Sequence, residues 1–160
     1  MGLRETGSSL VETMIALFVL AIGLLGMLAM QTKAMQFNQS AYHFSQAIYL
    51  ANDMSERIRS NLAAANDPAI ADAYALASAE AAANNLDCSP ATQLSALELA
   101  RCDLKQWSAQ VGERLPEGTV KIERTGDVFE IFVGFDDSRV VRLEDGAEVA
   151  PHSYRLVMEI

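Results

Sequence analysis

Cys88 and Cys102, spaced C-x13-C, are the two thiols of this chain. The spacing fits neither a CxxC redox pair nor a zinc ligand set. His43 and His152 lie too far off in sequence to complete such a set. Two readings stay open for the cysteines: unpaired buried thiols, or a disulfide if this part of the chain is exported. No nucleophile–base pair, glycine-rich phosphate loop or HExxH sequence accompanies the histidines. Asp136-Asp137 reads as a solvated turn, because the further oxygen ligands of a calcium loop are missing. The expectation is therefore no enzyme, no metal and no cofactor. Glu12 is the other candidate. It borders a strongly apolar stretch, where an ionisable side chain is a functional hypothesis by default. A local reading competes: Ser9-x-x-Glu12 has the spacing of a capping box, and an acid near a helix start suits the dipole.

The element that must position Glu12 is legible. No charged or strongly polar residue occurs from Met14 to Met30. Counted from Leu10, the stretch is about 21 residues, enough to cross a hydrocarbon core of roughly 30 Å. A soluble core helix rarely runs so far without a polar face. It is not an ordinary signal peptide, since Gln31 to Gln36 offers no small-x-small site and Arg4 is offset by Glu5. The helical pattern also continues. Ala34, Phe37, Ala41, Phe44, Ile48, Ala51, Met54, Ile58 and Leu62 recur in steps of three and four. No proline interrupts residues 10 to 66. One helix from about Ser9 to Leu62 would be on the order of 80 Å long at the α-helical rise. Its first half would lie in lipid and its second would put one face on a water-exposed domain.

Asn66-Asp67-Pro68 carries helix-breaking chemistry. The alanine-rich residues 69–84 predict a short helix over the domain, with a mobile loop as the other reading of their low complexity. Ser95 to Val111 predicts another, with Leu97, Leu104 and Trp107 available for packing. After Pro116-Glu117-Gly118 the period becomes two. Val120 and Ile122 alternate with charges, and Phe129, Ile131, Val133 and Phe135 share one face. Val141 and Leu143 follow the turn at Asp136-Asp137-Ser138. After Glu144-Asp145-Gly146 the chain ends on alternating Tyr154, Leu156, Met158 and Ile160, with His152 in the turn before them. The prediction is an antiparallel sheet of about four strands, one face packed on the amphipathic half of the long helix. The net charge of -9, with dispersed Lys and Arg, argues against nucleic-acid binding.

The N-terminal residues Gly7-Ser8-Ser9-Leu10-Val11-Glu12-Thr13-Met14-Ile15-Ala16-Leu17 resemble the class III signal of type IV prepilins and pseudopilins. The resemblance implies a leader of residues 1–7, cleavage by a prepilin peptidase between Gly7 and Ser8, N-methylation of Ser8, and an assembly role for Glu12 at the fifth mature position. Ser8 departs from the usual aromatic or Met at the first position. The run Leu20-Ala21-Ile22-Gly23-Leu24-Leu25-Gly26-Met27-Leu28-Ala29-Met30-Gln31 is similar to minor pilins of the PilV group, the type IV pilus modification proteins. The likeness covers about residues 7–60. Gly23 and Gly26 would let neighbouring helices approach closely, although glycine is simply common in membrane helices too.

The fold so implied is α+β, the pilin ladle. Residues 8–30 form the transmembrane and assembly half of the helix, and 31–160 the periplasmic domain. That domain divides into an amphipathic helix at 31–62, an α/β loop region at 63–118 and a sheet at 119–160. The function implied is a minor pilin that helps to prime a type IV pilus and sits at or near its tip, supporting twitching motility and adhesion. Its partners would be the prepilin peptidase, other minor pilins and the major pilin through the N-terminal helices, a large tip adhesin, and the bacterial inner membrane, but no nucleic acid. A minor pseudopilin of a type II secretion system has the same helix physics. A periplasmic enzyme or binding module on an uncleaved anchor is a third reading, and it would need a polar pocket that the sequence does not display.

Overall fold

The computed structural model describes residues 8–70, 72–82, 85–89, 93–136 and 152–160. The chain forms two compact units, Met1–Gln39 and Ser40–Ile160. One helix, α1, runs Ser8–Ser60. Within the first unit its large apolar side chains from Leu10 to Met30 lie exposed among the described residues: the least exposed, Leu24, is 54% exposed and Met30 is 77% exposed. Among the described residues, the helix within Leu10–Ser60 is the one long and apolar enough to cross a membrane. Where the apolar run ends, the Thr32 hydroxyl bonds back to the Leu28 carbonyl at 3.0 Å.

In the second unit α1 contributes Ala47, Leu50, Ala51, Met54 and Ile58, all fully buried. The predicted stripe agrees at Ala51, Met54 and Ile58 and departs towards its ends. Ala41 is exposed and Ile48 only partly buried, while Phe44 and Leu62 keep 44% and 48% of their surface. Steps of three and four from Ala51 reach Ala47 as readily as Ile48, one position and about 100° apart. Phe44 sits at the margin, edge-on to Tyr154 with ring centroids 6.0 Å apart. The chain breaks at Asn61 and adds one turn, α2, at Leu62–Ala65.

Among the described residues of 69–84 the expected helix does not form. Two 3-10 turns, Pro68–Ile70 and Glu80–Ala82, bracket an extended Leu76. Leu76 exchanges two backbone bonds with Ile122, at 3.0 and 2.8 Å. Alanine favours a helix, but burying Tyr74 and Leu76 while satisfying an edge of the sheet outweighs that small propensity. Helix α3, Ala96–Arg114, starts on a capping box. The Ser95 N–H donates to Glu98 at 2.9 Å, and the Glu98 N–H to the Ser95 hydroxyl at 3.3 Å. The Ser95 hydroxyl, which donates to the Glu98 carboxylate at 2.7 Å, and then the Ser95 backbone N–H hold that carboxyl below its ordinary range. α3 buries Ala100, Cys102, Leu104, Trp107 and Val111.

Three antiparallel strands follow in the order β1 (Thr119–Thr125), β2 (Val128–Phe135) and β3 (His152–Glu159). Gly126, at φ 63°, makes the two-residue turn that pairs Thr125 with Val128. Val120, Ile122, Phe129, Ile131, Val133, Phe135 and Met158 form the buried face. Tyr154, Leu156 and Ile160 pack partly buried against the same core. The opposite face carries Lys121, Phe132 and Arg155 in register. The sheet thus has three strands among the described residues, not four. The strand expected around Val141 and Leu143 and the turns at 137–138 and 144–146 lie outside the described residues. His152 is the first residue of β3 and pairs with Phe135, so it is not in the turn before the strand.

Candidate functional site

The predicted site residues fall in two places. Gly7 lies outside the described residues. Ser8 is the first residue of α1 and Ser9 is already helical, whereas a capping box with Glu12 needs Ser9 at the non-helical position before the helix. Glu12 is exposed on the same helix, four residues beyond Ser8. The apolar side chains that follow it find no cover among the described residues, and lipid or other helices could supply it.

Cys88 and Cys102 form a disulfide, with Cα atoms 5.6 Å apart. The bond ties the segment at 85–89 to the middle of α3. A closed loop of about 15 residues contributes roughly 3 kcal/mol in the chain-entropy model. The alternative of two unpaired thiols is thereby corrected.

Beside the disulfide stands a polar cluster that the sequence reading did not assemble. Arg57 donates from Nε to Asp53 at 2.9 Å and from Nη1 to Asp103 at 3.2 Å. The Tyr74 hydroxyl donates to the other Asp103 oxygen at 2.9 Å. Asn61 Nδ2 donates to the Tyr74 oxygen at 3.1 Å and to the Ala96 carbonyl at 2.9 Å. Burial pulls the Arg57 guanidinium down, but bonds and charge from Asp53 and Asp103 outweigh it and leave it raised. The Tyr74 phenol is pushed above its ordinary value by burial, against the Asn61 bond, with Asp103 adding to the rise. The i,i+4 spacing of Asp53, Arg57 and Asn61 was a visible signal of a shared helix face. Nothing in the sequence joined them to Tyr74 or Asp103. The cluster clamps α1, the 3-10 region and α3, and is architectural.

His43 and His152 flank Phe135, with ring centroids at 6.1 and 5.8 Å. His43 Nδ1 and His152 Nε2 are shut off from water and meet no partner among the described residues. Asp136 donates its N–H to the Pro116 carbonyl at 2.9 Å. Among the described residues no three His, Cys, Asp or Glu side chains are grouped to hold a metal ion.

A long N-terminal helix whose later turns pack on an antiparallel sheet, in an α+β arrangement, is consistent with the pilin fold. Over residues 29–105 the chain matches the model of the Tt1218-like family, type IV pilin Tt1218. That match supports a type IV pilin, a class of structural subunit. The one long apolar helix fits anchoring in a membrane and packing in a pilus. No curated protein matches the chain, and no solved structure does.

Proposed function

We propose that this chain is a minor pilin of the PilV group, cleaved between Gly7 and Ser8 by a prepilin peptidase and methylated on Ser8. The mature subunit is held in the bacterial inner membrane by residues 8–30, with its cysteine-bridged domain in the periplasm. It then joins other minor pilins and the major pilin through α1, primes the filament, and stands at or near the tip beside a large adhesin, where it serves twitching and adhesion. The carrying observation is the uncovered apolar surface of α1 from Leu10 to Met30, with Glu12 as the charge at its start. A helix so exposed is made to exchange lipid for like helices, because neither environment requires a polar face. A minor pseudopilin of a type II secretion system remains the alternative reading of the same helix.

The test is deletion of the chain in its own cell, with surface pili, twitching and protein secretion scored together. The proposal expects loss of pili and twitching with secretion intact. The reverse pattern selects the pseudopilin. In parallel, the intact mass of the membrane-purified protein is expected to lack residues 1–7 and to carry one added methyl group. A mass retaining Met1 where the peptidase is active would refute processing.

A further inference from the structure

The two sulfurs of the disulfide are not equivalent. Cys102 sits within α3 and keeps 3% of its surface. Cys88 is partly exposed, on a segment without regular structure. A groove of about 320 Å³ passes the bridge, lined by Cys88, Ser89, Leu94, Leu99, Asp103 and Gln106 together with Cys102. Thiol–disulfide exchange is an in-line displacement, so the incoming thiolate must reach one sulfur from the side opposite the other. Both cysteines border the groove, but Cys102 keeps only 3% of its surface, whereas Cys88 is partly exposed and offers an attacking thiolate the larger target.

A cation also stands between the two segments that the bridge joins. Lys105 stands one turn beyond Cys102 and donates from Nζ to the Leu86 carbonyl at 3.4 Å, so its ammonium lies between the two cysteine-bearing segments. A nearby cation favours negative charge on a leaving thiolate. The neighbouring carboxylates are engaged elsewhere. Asp103 is held by Arg57 and Tyr74, and Asp87 accepts from the Ser89 N–H at 3.1 Å.

We propose that the disulfide is made and opened through the Cys88 sulfur, the exchange partner being a dithiol of the CxxC oxidoreductase class. In opening, the partner's thiolate forms a bond to Cys88 Sγ while the Cys88–Cys102 bond breaks. Cys102 leaves as a thiolate and takes a proton from water. The partner's second thiolate then displaces Cys88, so the partner is oxidised by two electrons and this chain reduced by two. Formation is the reverse: the Cys88 thiolate attacks the partner's disulfide, and Cys102 then closes on Cys88 and expels the partner.

The test uses the oxidised full chain in detergent micelles and glutathione as the attacking thiol. The reaction is quenched with acid at short times, and the glutathione adducts are mapped by peptide mass spectrometry. About tenfold more adduct is expected on Cys88 than on Cys102, as access to the attacked sulfur dictates. Equal adducts, a preference for Cys102, reduction with no adduct on Cys88, or a bond that glutathione leaves intact would each overturn the proposal. A second measurement compares labelling of Cys102→Ser and Cys88→Ser by a chromogenic aromatic disulfide. The thiol of Cys102→Ser is expected to react about tenfold faster in the native state, and the two are expected to converge in urea. Equal native rates also overturn it.

Discussion

The indole N–H of Trp107 donates to the main-chain carbonyl of Leu50 across 2.8 Å, in a fully buried contact between α3 and the interior of α1. Inside a helix that carbonyl already accepts an N–H one turn on, so the indole is a second donor to it. Trp107→Phe removes this donor without stranding the acceptor, and leaves a small void. The expected loss is about 2–3 kcal/mol, from one hydrogen bond and a reduced aromatic volume. Urea denaturation of the oxidised domain is the check. A loss below about 0.5 kcal/mol would mean that the bond is incidental to the packing.

Asp103 is the hub of the polar cluster, since it receives both Arg57 and Tyr74. Asp103→Ala leaves the Tyr74 hydroxyl without its acceptor and Arg57 with Asp53 and a long contact of 3.5 Å to Gln106. A cost of about 2 kcal/mol is expected, with Asp103→Asn cheaper because one acceptor survives. The cluster also sets a pH response. The folded Tyr74 phenol holds its proton above the ordinary value of 10.0. A raised folded value contributes stability that is fully present below the unfolded pKa and lost as pH rises towards the folded one. Stability of the domain is therefore expected to be level up to about pH 9 and to fall above about pH 10. Tyr74→Phe, although less stable throughout, should lose this part of the alkaline fall. Denaturant midpoints measured from pH 8 to about pH 11 would show it.

The turn after α3 contains two neighbours with opposite expectations. A Cβ on Gly118 would stand 2.7 Å from the Val111 carbonyl oxygen and 2.9 Å from Val111 Cγ1. Backbone cannot yield as a side chain does, so Gly118→Ala is expected to cost about 2 kcal/mol. Glu117, at φ 47°, holds the left-handed conformation with a Cβ present. Glu117→Gly relieves that strain and is expected to raise stability by about 0.5 kcal/mol. Thermal melts of the two variants should shift in opposite directions.

Legibility in the sequence followed the length over which a pattern repeats. The apolar run, the alternation of Phe129 to Phe135 and the helix that carries Trp107 were readable, because each repeats one period several times. The inner face of α1 departs from the periodic stripe where the pattern depends on one position, since steps of three and four from Ala51 reach the buried Ala47 as readily as the partly buried Ile48. The alanine-rich 69–84 segment misled for a related reason. Its local preference is weak, and the Leu76–Ile122 bridge is a long-range pairing that local composition does not encode. The Arg57–Asp103–Tyr74 cluster joins three elements distant in sequence, so no spacing rule could reveal it. Glu12 stands out because its type contradicts its surroundings, and its role is a proposal.

The last prediction concerns that contradiction. Cleavage at Gly7 would leave a positive amine on Ser8, and Glu12 stands about 6 Å further along the axis at the helical rise. In the proposed filament both charges would enter an apolar core, where an unpaired ion costs several kcal/mol even after relaxation. If Glu12 pairs with the amine of a neighbouring subunit, the cost is offset only in the assembled state, and the pair also fixes axial register. If it pairs with its own amine, the benefit is already present in the membrane-bound monomer. The two arrangements separate in Glu12→Ala and Glu12→Gln. An intersubunit pair predicts normal insertion, cleavage and membrane abundance, but a sheared-filament fraction lowered more than tenfold, because about 1.4 kcal/mol corresponds to each factor of ten. An intrachain pair predicts reduced membrane abundance, with the surviving protein entering filaments in proportion. The ratio of sheared to membrane-bound protein, measured for wild type and both variants, decides between them. An unchanged ratio removes Glu12 from assembly.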